Sequence, residues 1–105
     1  MSKEIICIDI DGVIAGIGLT FLTGYEYCPE MLGAKKAIDK IRKKYLVYLH
    51  TGRHIDHAMA TIAWLKEHKI KYDHIQFGKP FAKVYIDDKG MRFESWKQIM
   101  TELKI

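Results

Sequence analysis

Residues 3–16, KEIICIDIDGVIAG, decide the fold of this chain. An isoleucine-rich apolar run ends at Asp9, and a second carboxylate, Asp11, follows two positions later with Gly12 directly after it. A short, continuous apolar run is typical of a buried strand in a parallel sheet. Two like charges at the tip of a buried strand repel each other and are costly to desolvate. The pattern therefore indicates a site that needs both carboxylates.

The rest of the chain alternates between strand and helix patterns. We predict strands over 4–9, 45–50, 74–78 and 83–87, and helices over 30–44, 56–68 and 94–103. Apolar residues at helical spacing predict the buried faces of the first two helices: Met31, Ala34, Ala37, Ile38 and Ile41 in one, and Met59, Ile62, Ala63 and Leu65 in the other, which Asp56 is expected to cap. This order predicts a three-layer, Rossmann-like α/β fold, with a parallel sheet of about four strands and helices on both faces.

Length and composition fit one domain that spans residues 1–105. No window approaches the roughly 20 apolar residues of a membrane helix, and the N-terminus lacks a secretory signal pattern. We therefore expect a cytoplasmic protein without a membrane partner. The 17 Lys and Arg residues exceed the 13 Asp and Glu residues, which gives a net charge of +4. This excess can attract an anionic substrate, but it is weaker than the basic stripe of a dedicated nucleic-acid-binding protein.

Polar residues follow every predicted strand at its carboxyl end: Asp9 and Asp11, then Thr51, then Lys79, then Asp87 and Asp88. Ligands of parallel α/β sheets bind at this edge. Four carboxylates at close quarters need a cation, and a hard, all-oxygen ligand set favours Mg²⁺. Thr51 and Gly52 form a turn into a helix, which is a phosphate-binding geometry that Lys79 would complement. A carboxylate held in line with the phosphorus could attack it covalently.

Four segments together resemble the motifs of the haloacid dehalogenase (HAD) superfamily. They are DIDGV at 9–13, LHTGR at 49–53, GKP at 78–80 and VYIDDK at 84–89, in the order that the family shows. The resemblance covers essentially the whole chain. It implies a HAD-like hydrolase, and the second aspartate of the first motif favours phosphatase or phosphotransferase chemistry over carbon–halogen cleavage.

The resemblance also implies a role for each matched residue. Asp9 would be the nucleophile that forms an aspartyl-phosphate, and Asp11 the general acid and then the base. Thr51 and Gly52 would bind the phosphoryl group, and Lys79 would neutralise its charge. Mg²⁺ would be held by Asp9, the backbone carbonyl of Asp11, Asp87 and Asp88. The spacing leaves open which of the last two contacts the metal directly.

Residues 12–28 leave room for a short flap only, so the chain resembles a capless member of the family. Tyr25 in this flap is a candidate substrate contact. Arg53 could either reach the substrate phosphate or pair with a carboxylate. Open sites of this kind tend to accept large substrates or to be covered by oligomerisation, which is compatible with a homodimer.

Three classes of function fit a small α/β domain of this kind: a signalling receiver, a binding protein and an enzyme. A receiver-type signalling domain would carry its phosphorylated aspartate at the end of the third strand, where this chain has Ile75, Gln76 and Phe77. A binding protein that lost catalysis would be expected to have lost part of the motif set. We therefore expect a Mg²⁺-dependent phosphomonoesterase that acts on a small phosphorylated metabolite such as a sugar phosphate. Nucleotides and 3′-phosphate ends of nucleic acid are the alternative substrates, and hydrolysis versus phosphotransfer stays open.

Overall fold

Three parallel strands form the sheet of the computed structural model, which describes residues 3–16 and 28–105. Strands β1 (Ile5–Asp9), β2 (Leu46–His50) and β3 (His74–Gln76) lie in the order β1-β2-β3. The helices are α1 (Ala34–Ile41), α2 (Ala58–Glu67) and α3 (Trp96–Leu103), and a 3₁₀ turn (Ile55–His57) precedes α2. The α/β class and the parallel sheet predicted from the sequence are confirmed. None of the helices in the described ranges is long and apolar enough to cross a membrane.

Strand β1 lies at the edge of this sheet and is buried on one side only. Ile8 is buried, whereas Ile5 and Cys7 are exposed. Successive side chains of a strand point to opposite faces, so this alternation places Ile5 and Cys7 on the side that the described residues leave open. The prediction of a buried strand is therefore confirmed on one face only for β1. It is closer for β2, where Val47 and Leu49 are fully buried.

Helix α1 begins after Gly33, whose φ of 82° lies in the left-handed region that favours glycine. Its buried residues repeat at helical spacing and pack toward β2 and α3: Ala34, Ala37, Ile38 and Ile41. The predicted buried face is confirmed for these four residues. The helix is shorter than the predicted 30–44 because its first turn starts only after the glycine.

The buried face of helix α2 shares only Leu65 with the predicted face. Its buried residues are Thr61, Trp64 and Leu65, whereas Met59 is 87% exposed and Ile62 is also exposed. The Trp64 indole donates to the Cys28 carbonyl at 2.8 Å, which fixes the inward side of the helix. The predicted cap is wrong as well, because Asp56 lies within the 3₁₀ turn and donates its backbone N–H to the His54 side chain.

The fourth predicted strand, 83–87, is not a strand in the structure. Residues 81–90 are all exposed and none of them is assigned to the sheet. Their aromatic and β-branched composition matches a strand, but a strand forms only when a neighbour accepts its backbone hydrogen bonds. The chain then enters α3 through a capping box, in which Ser95 and Gln98 each accept from the other's backbone N–H.

Candidate active site

The carboxyl ends of the three strands are level with one another. Asp9 at the end of β1 pairs in register with His50 at the end of β2. His50 pairs in turn with Gln76 at the end of β3. The residues that follow these positions are therefore brought to one edge of the sheet, which is the edge where α/β folds bind ligands.

Asp9 is partly exposed at this edge and faces a lysine. Its Oδ1 accepts from the backbone N–H of Ile10 at 2.8 Å, and its Oδ2 lies 3.7 Å from Lys79 Nζ. The N–H of Ile10 fixes one carboxylate oxygen, and Lys79 supplies positive charge beside the other. This is a suitable environment for a carboxylate that attacks an anionic group, because the lysine offsets the repulsion between them.

Asp11 is held on a tight turn that follows β1. The N–H groups of Val13, Ile14 and Ala15 all lie within 3.2 Å of the Ile10 carbonyl oxygen, and Gly12 donates to the Ala15 carbonyl at 2.7 Å. Gly12 has a φ of 85°, which a residue with a side chain adopts at a cost. The fully buried side chains of Ile10 and Ile14 anchor the turn in the core.

Thr51 and Lys79 are joined through their backbones. Thr51 donates to the Gln76 carbonyl at 3.0 Å and accepts from the Lys79 N–H at 2.9 Å. Gly52 lies so close to this second segment that an added Cβ would stand 3.3 Å from the Lys79 carbonyl oxygen. The Thr51 side chain is buried, and its hydroxyl oxygen accepts from the Arg53 N–H. The structure thus brings together the three residues predicted to bind phosphate.

Arg53 pairs with Asp11, which the sequence left as one of two alternatives. Its Nη2 and Nε donate to the two carboxylate oxygens of Asp11 at 2.7 and 2.9 Å. A third group, Nη1, donates to the hydroxyl of Thr61 at 3.1 Å. Sequence reasoning missed Thr61 altogether. The available signal was a single threonine between apolar residues of a predicted helix, eight positions after an arginine.

His50 and Tyr85 also lie beside the predicted site. Burial lowers the pKa of His50, the positive charge of Lys79 lowers it further, and Asp9 opposes the shift. The Lys79 ammonium lies 4.2 Å from the centroid of the Tyr85 ring, a cation–π contact. The hydroxyl of Tyr85 donates to the Pro80 carbonyl. Neither residue was predicted to belong to the site.

The remaining predicted metal ligands lie on the exposed segment 81–90. The Asp87 Oδ1 accepts from the backbone N–H groups of Lys89 and Gly90 at 2.8 and 2.5 Å, so it closes a local turn. Asp88 is exposed next to it. Within residues 3–16 and 28–105, no three His, Cys, Asp or Glu side chains are grouped closely enough to hold a metal ion. Carboxylates are suitable donors for Mg²⁺, but the structure does not bring this set together.

Tyr25, the predicted substrate contact in the flap, lies outside the described residues. The ends of that flap are described. Gly16 donates to the Pro29 carbonyl at 2.8 Å, and Met31 donates to the Ile14 carbonyl at 2.7 Å. The described backbone on either side of residues 17–27 is therefore bonded to the turn that carries Asp11.

Comparison with solved structures gives matches to the fold. A structural-genomics target from Vibrio cholerae is 21% identical with a TM-score of 0.67, and the match covers 86% of this chain and 84% of that one. A chain of the Pnkp1/Rnl/Hen1 RNA repair complex matches at 20% identity and a TM-score of 0.62, over 78% of this chain and 28% of that one. A second structure of the Pnkp1/Rnl/Hen1 complex matches at 19% and 0.61, over 97% and 34%.

Identities at this level show a shared fold and nothing finer. The chain spans about a third or less of the length of the two chains from the Pnkp1/Rnl/Hen1 complex that it matches. No family model matches the sequence, and neither does any curated protein.

Proposed function

We propose that this chain is a phosphomonoester hydrolase that acts through an aspartyl-phosphate on Asp9. The observation that carries the proposal is the meeting of Asp9, Thr51 and Lys79 at the carboxyl edge of the sheet, with Lys79 Nζ 3.7 Å from the Asp9 carboxylate. The resemblance of the four motifs to the HAD superfamily supports the same assignment, and the fold matches agree with it.

Each residue has a defined task in the proposed reaction. An oxygen of Asp9 attacks phosphorus, and the bond from phosphorus to the leaving oxygen breaks as Asp11 gives that oxygen a proton. Thr51, Gly52 and Lys79 bind the phosphoryl oxygens. Asp11 then takes a proton from water, which attacks the aspartyl-phosphate and releases inorganic phosphate and free Asp9.

A Mg²⁺ ion is part of the proposal, and it would supply charge neutralisation for the phosphoryl group. Asp9, the Asp11 carbonyl, Asp87 and Asp88 would hold it. This requires residues 83–88 to approach β1, whose outer edge has no strand beside it among the described residues. Such an approach would add the fourth strand and complete the three-layer fold that the motif resemblance implies. If Asp87 is the direct ligand, Asp87→Asn should raise the Mg²⁺ concentration needed for half-maximal activity more than Asp88→Asn does.

A small phosphorylated metabolite is the proposed substrate, with nucleotides or 3′-phosphate nucleic-acid ends as a second candidate. Exposed aromatic rings favour the second. Phe81 is 95% exposed, and one of its ring carbons lies 3.8 Å from the position that a Cβ on Gly52 would occupy. Aromatic rings beside a phosphate site can stack on a base. A fold match to a chain of an RNA repair complex points the same way.

The test is turnover of an aryl phosphate with Mg²⁺ and with a chelator. We expect metal-dependent release of phosphate that Asp9→Asn abolishes. Asp39→Asn is the matched control, because Asp39 pairs with Lys35 on the exposed face of α1 and should be dispensable. Full activity in Asp9→Asn would overturn the proposal. A folded protein that turns over no phosphomonoester would favour a binding protein that keeps the fold without catalysis.

A further inference from the structure

The contact between Arg53 and Asp11 is asymmetric in burial. The Arg53 side chain is 2% exposed, whereas the Asp11 side chain is 29% exposed. The two parallel N–H···O bonds, at 2.7 and 2.9 Å, match the fork geometry that fixes the plane of a carboxylate. The cation therefore lies inside the protein, and the carboxylate that it holds reaches the surface at the edge where phosphate would bind.

Arg53 is fixed by groups other than Asp11. Its Nη1 donates to Thr61, whose side chain is fully buried on α2. Its backbone N–H donates to the Thr51 hydroxyl oxygen at 3.1 Å, and its carbonyl accepts from Gly78 at 3.1 Å. Since α2 and the 76–79 segment hold the arginine in place, the guanidinium positions the carboxylate.

The same contacts argue against Arg53 as a substrate-binding residue. The N–H groups on two edges of its guanidinium already donate to Asp11 and Thr61, and the side chain is almost wholly removed from solvent. A substrate phosphate would have to displace Asp11 to reach it. The carboxylate itself keeps room for a proton, because its two oxygens offer about four acceptor sites and Arg53 uses two of them.

We propose that Arg53 is a positioning residue, which orients the Asp11 carboxyl group for proton transfer to the leaving oxygen. The inference rests on the proposed function. In the first step, the proton moves from Asp11 to the leaving oxygen while the Asp9–phosphorus bond forms and the bond from phosphorus to the leaving oxygen breaks. Arg53 touches neither phosphorus nor the leaving group. It acts only through the carboxylate that it holds, with Thr61 as the support behind it.

Leaving groups of different acidity test this role. A nitrophenolate departs without help from an acid, whereas an alkoxide must be protonated as it leaves. We expect Arg53→Gln to lower kcat/KM for an alkyl phosphate by about 100-fold or more, and for 4-nitrophenyl phosphate by less than about 10-fold. The ratio kcat/KM reports the first phosphoryl transfer, so later hydrolysis of the aspartyl-phosphate does not mask the difference. Arg53→Lys keeps the positive charge but loses the forked pair of donors, so its kcat/KM for the alkyl phosphate should lie between the values of the wild type and Arg53→Gln.

Two further variants keep the result interpretable. Thr61→Val keeps the Arg53 side chain but removes the hydroxyl that supports it. It should again lower kcat/KM more for the alkyl phosphate than for 4-nitrophenyl phosphate, by a smaller factor than Arg53→Gln. This variant tests the positioning role if Arg53→Gln does not fold. Arg42→Gln is the matched control, because Arg42 also forms a forked pair with an aspartate, Asp73, at the other end of the sheet. It should leave the ratio between the two substrates unchanged.

The outcomes separate this inference from the proposed function. Equal losses for both substrates in folded Arg53→Gln and Thr61→Val, with Asp9→Asn inactive, would overturn the positioning role and leave the phosphatase proposal standing. Activity in Asp9→Asn, or no turnover of either phosphate by the wild type, would overturn both. A loss that is large only for the alkyl phosphate supports the inference.

Discussion

The sheet has an arginine–aspartate pair at each of its two ends. At the carboxyl end, Arg53 pairs with Asp11, and its side chain is almost completely buried. At the amino end, Arg42 donates to Asp73 at 3.0 and 3.5 Å, and both side chains are partly exposed. The first pair presents a carboxylate at the candidate site, and the second holds strands together.

The role of the amino-end pair follows from the other contacts of Asp73. Its Oδ2 accepts from the backbone N–H of Val47 at 2.8 Å, and its own N–H donates to the Val47 carbonyl. The hydrogen bond from Arg42 lowers the pKa of Asp73, the Val47 N–H adds to the shift, and burial opposes it. The carboxylate therefore joins the start of β2 to the residue before β3. Similar ion pairs thus have different roles, and the burial and the other partners of each pair decide which role it has.

Removal of the carboxylate should cost most at the carboxyl end, where the arginine is buried. Asp11→Ala leaves the Arg53 guanidinium buried without its counter-charge, and we expect a loss of about 3 kcal/mol in the free energy of unfolding. Asp73→Ala leaves Arg42 free to reach water and should cost about 1 kcal/mol. Urea unfolding of both variants measures the difference. Asp39→Ala, which removes an exposed pair on α1, is the control with the smallest loss. Equal losses at the two ends would contradict the comparison.

Acid should weaken the amino-end pair in a defined pH range. Because the folded-state pKa of Asp73 is lowered, its stabilisation is complete above the usual carboxyl pKa of about 3.9 and is lost as the pH falls through the folded-state value. The stability difference between wild type and Asp73→Asn should therefore be constant from pH 7 to about pH 5 and shrink below about pH 4. Thermal unfolding across this range gives the profile. A difference that grew toward low pH would refute the assignment.

Salt should separate the two pairs by a smaller effect. At about 1 M NaCl the screening length falls to about 3 Å, which weakens pairs that solvent reaches. We expect the destabilisation caused by Arg42→Gln to fall by about half between low salt and 1 M, a change of a few tenths of a kcal/mol. The loss in Arg53→Gln should change less, because the Arg53 side chain is almost wholly removed from solvent. Paired urea titrations at the two salt concentrations measure both, and equal salt sensitivity would remove the distinction.

Local signals in the sequence were enough to predict three parallel strands and the sheet edge at which the candidate residues lie. β1 and β2 are short apolar runs, and each is followed at once by polar residues, Asp9 and Asp11 after one and Thr51 after the other. In a parallel sheet such residues must meet at one edge, whatever the details of packing. The contact between Lys79 and Asp9 agrees with this expectation.

The parts that were wrong depend on partners that a local pattern does not specify. Helix α2 has apolar residues on several sides, so periodicity placed Met59 and Ile62 on the buried face instead of Trp64. The hydrogen bonds of Trp64 and Thr61 to distant groups decide which side faces inward. Segment 83–87 has the composition of a strand but pairs with no strand in the described residues. The pairing of Arg53 with Asp11 spans 42 positions and arises only from the tertiary fold.

In the proposed mechanism, residues 51–53 carry two tasks on one short piece of backbone. Thr51 and Arg53 are both bonded to the segment 76–79, which supplies Lys79, and the close approach at Gly52 leaves little space between them. A shift that adapts the phosphate-binding turn to a new substrate would also move the arginine behind Asp11. If the proposed function holds, phosphate binding and proton transfer are therefore coupled through one segment of backbone. New substrate preferences would have to arise in residues that border the site without sharing this backbone, such as the exposed ring of Phe81.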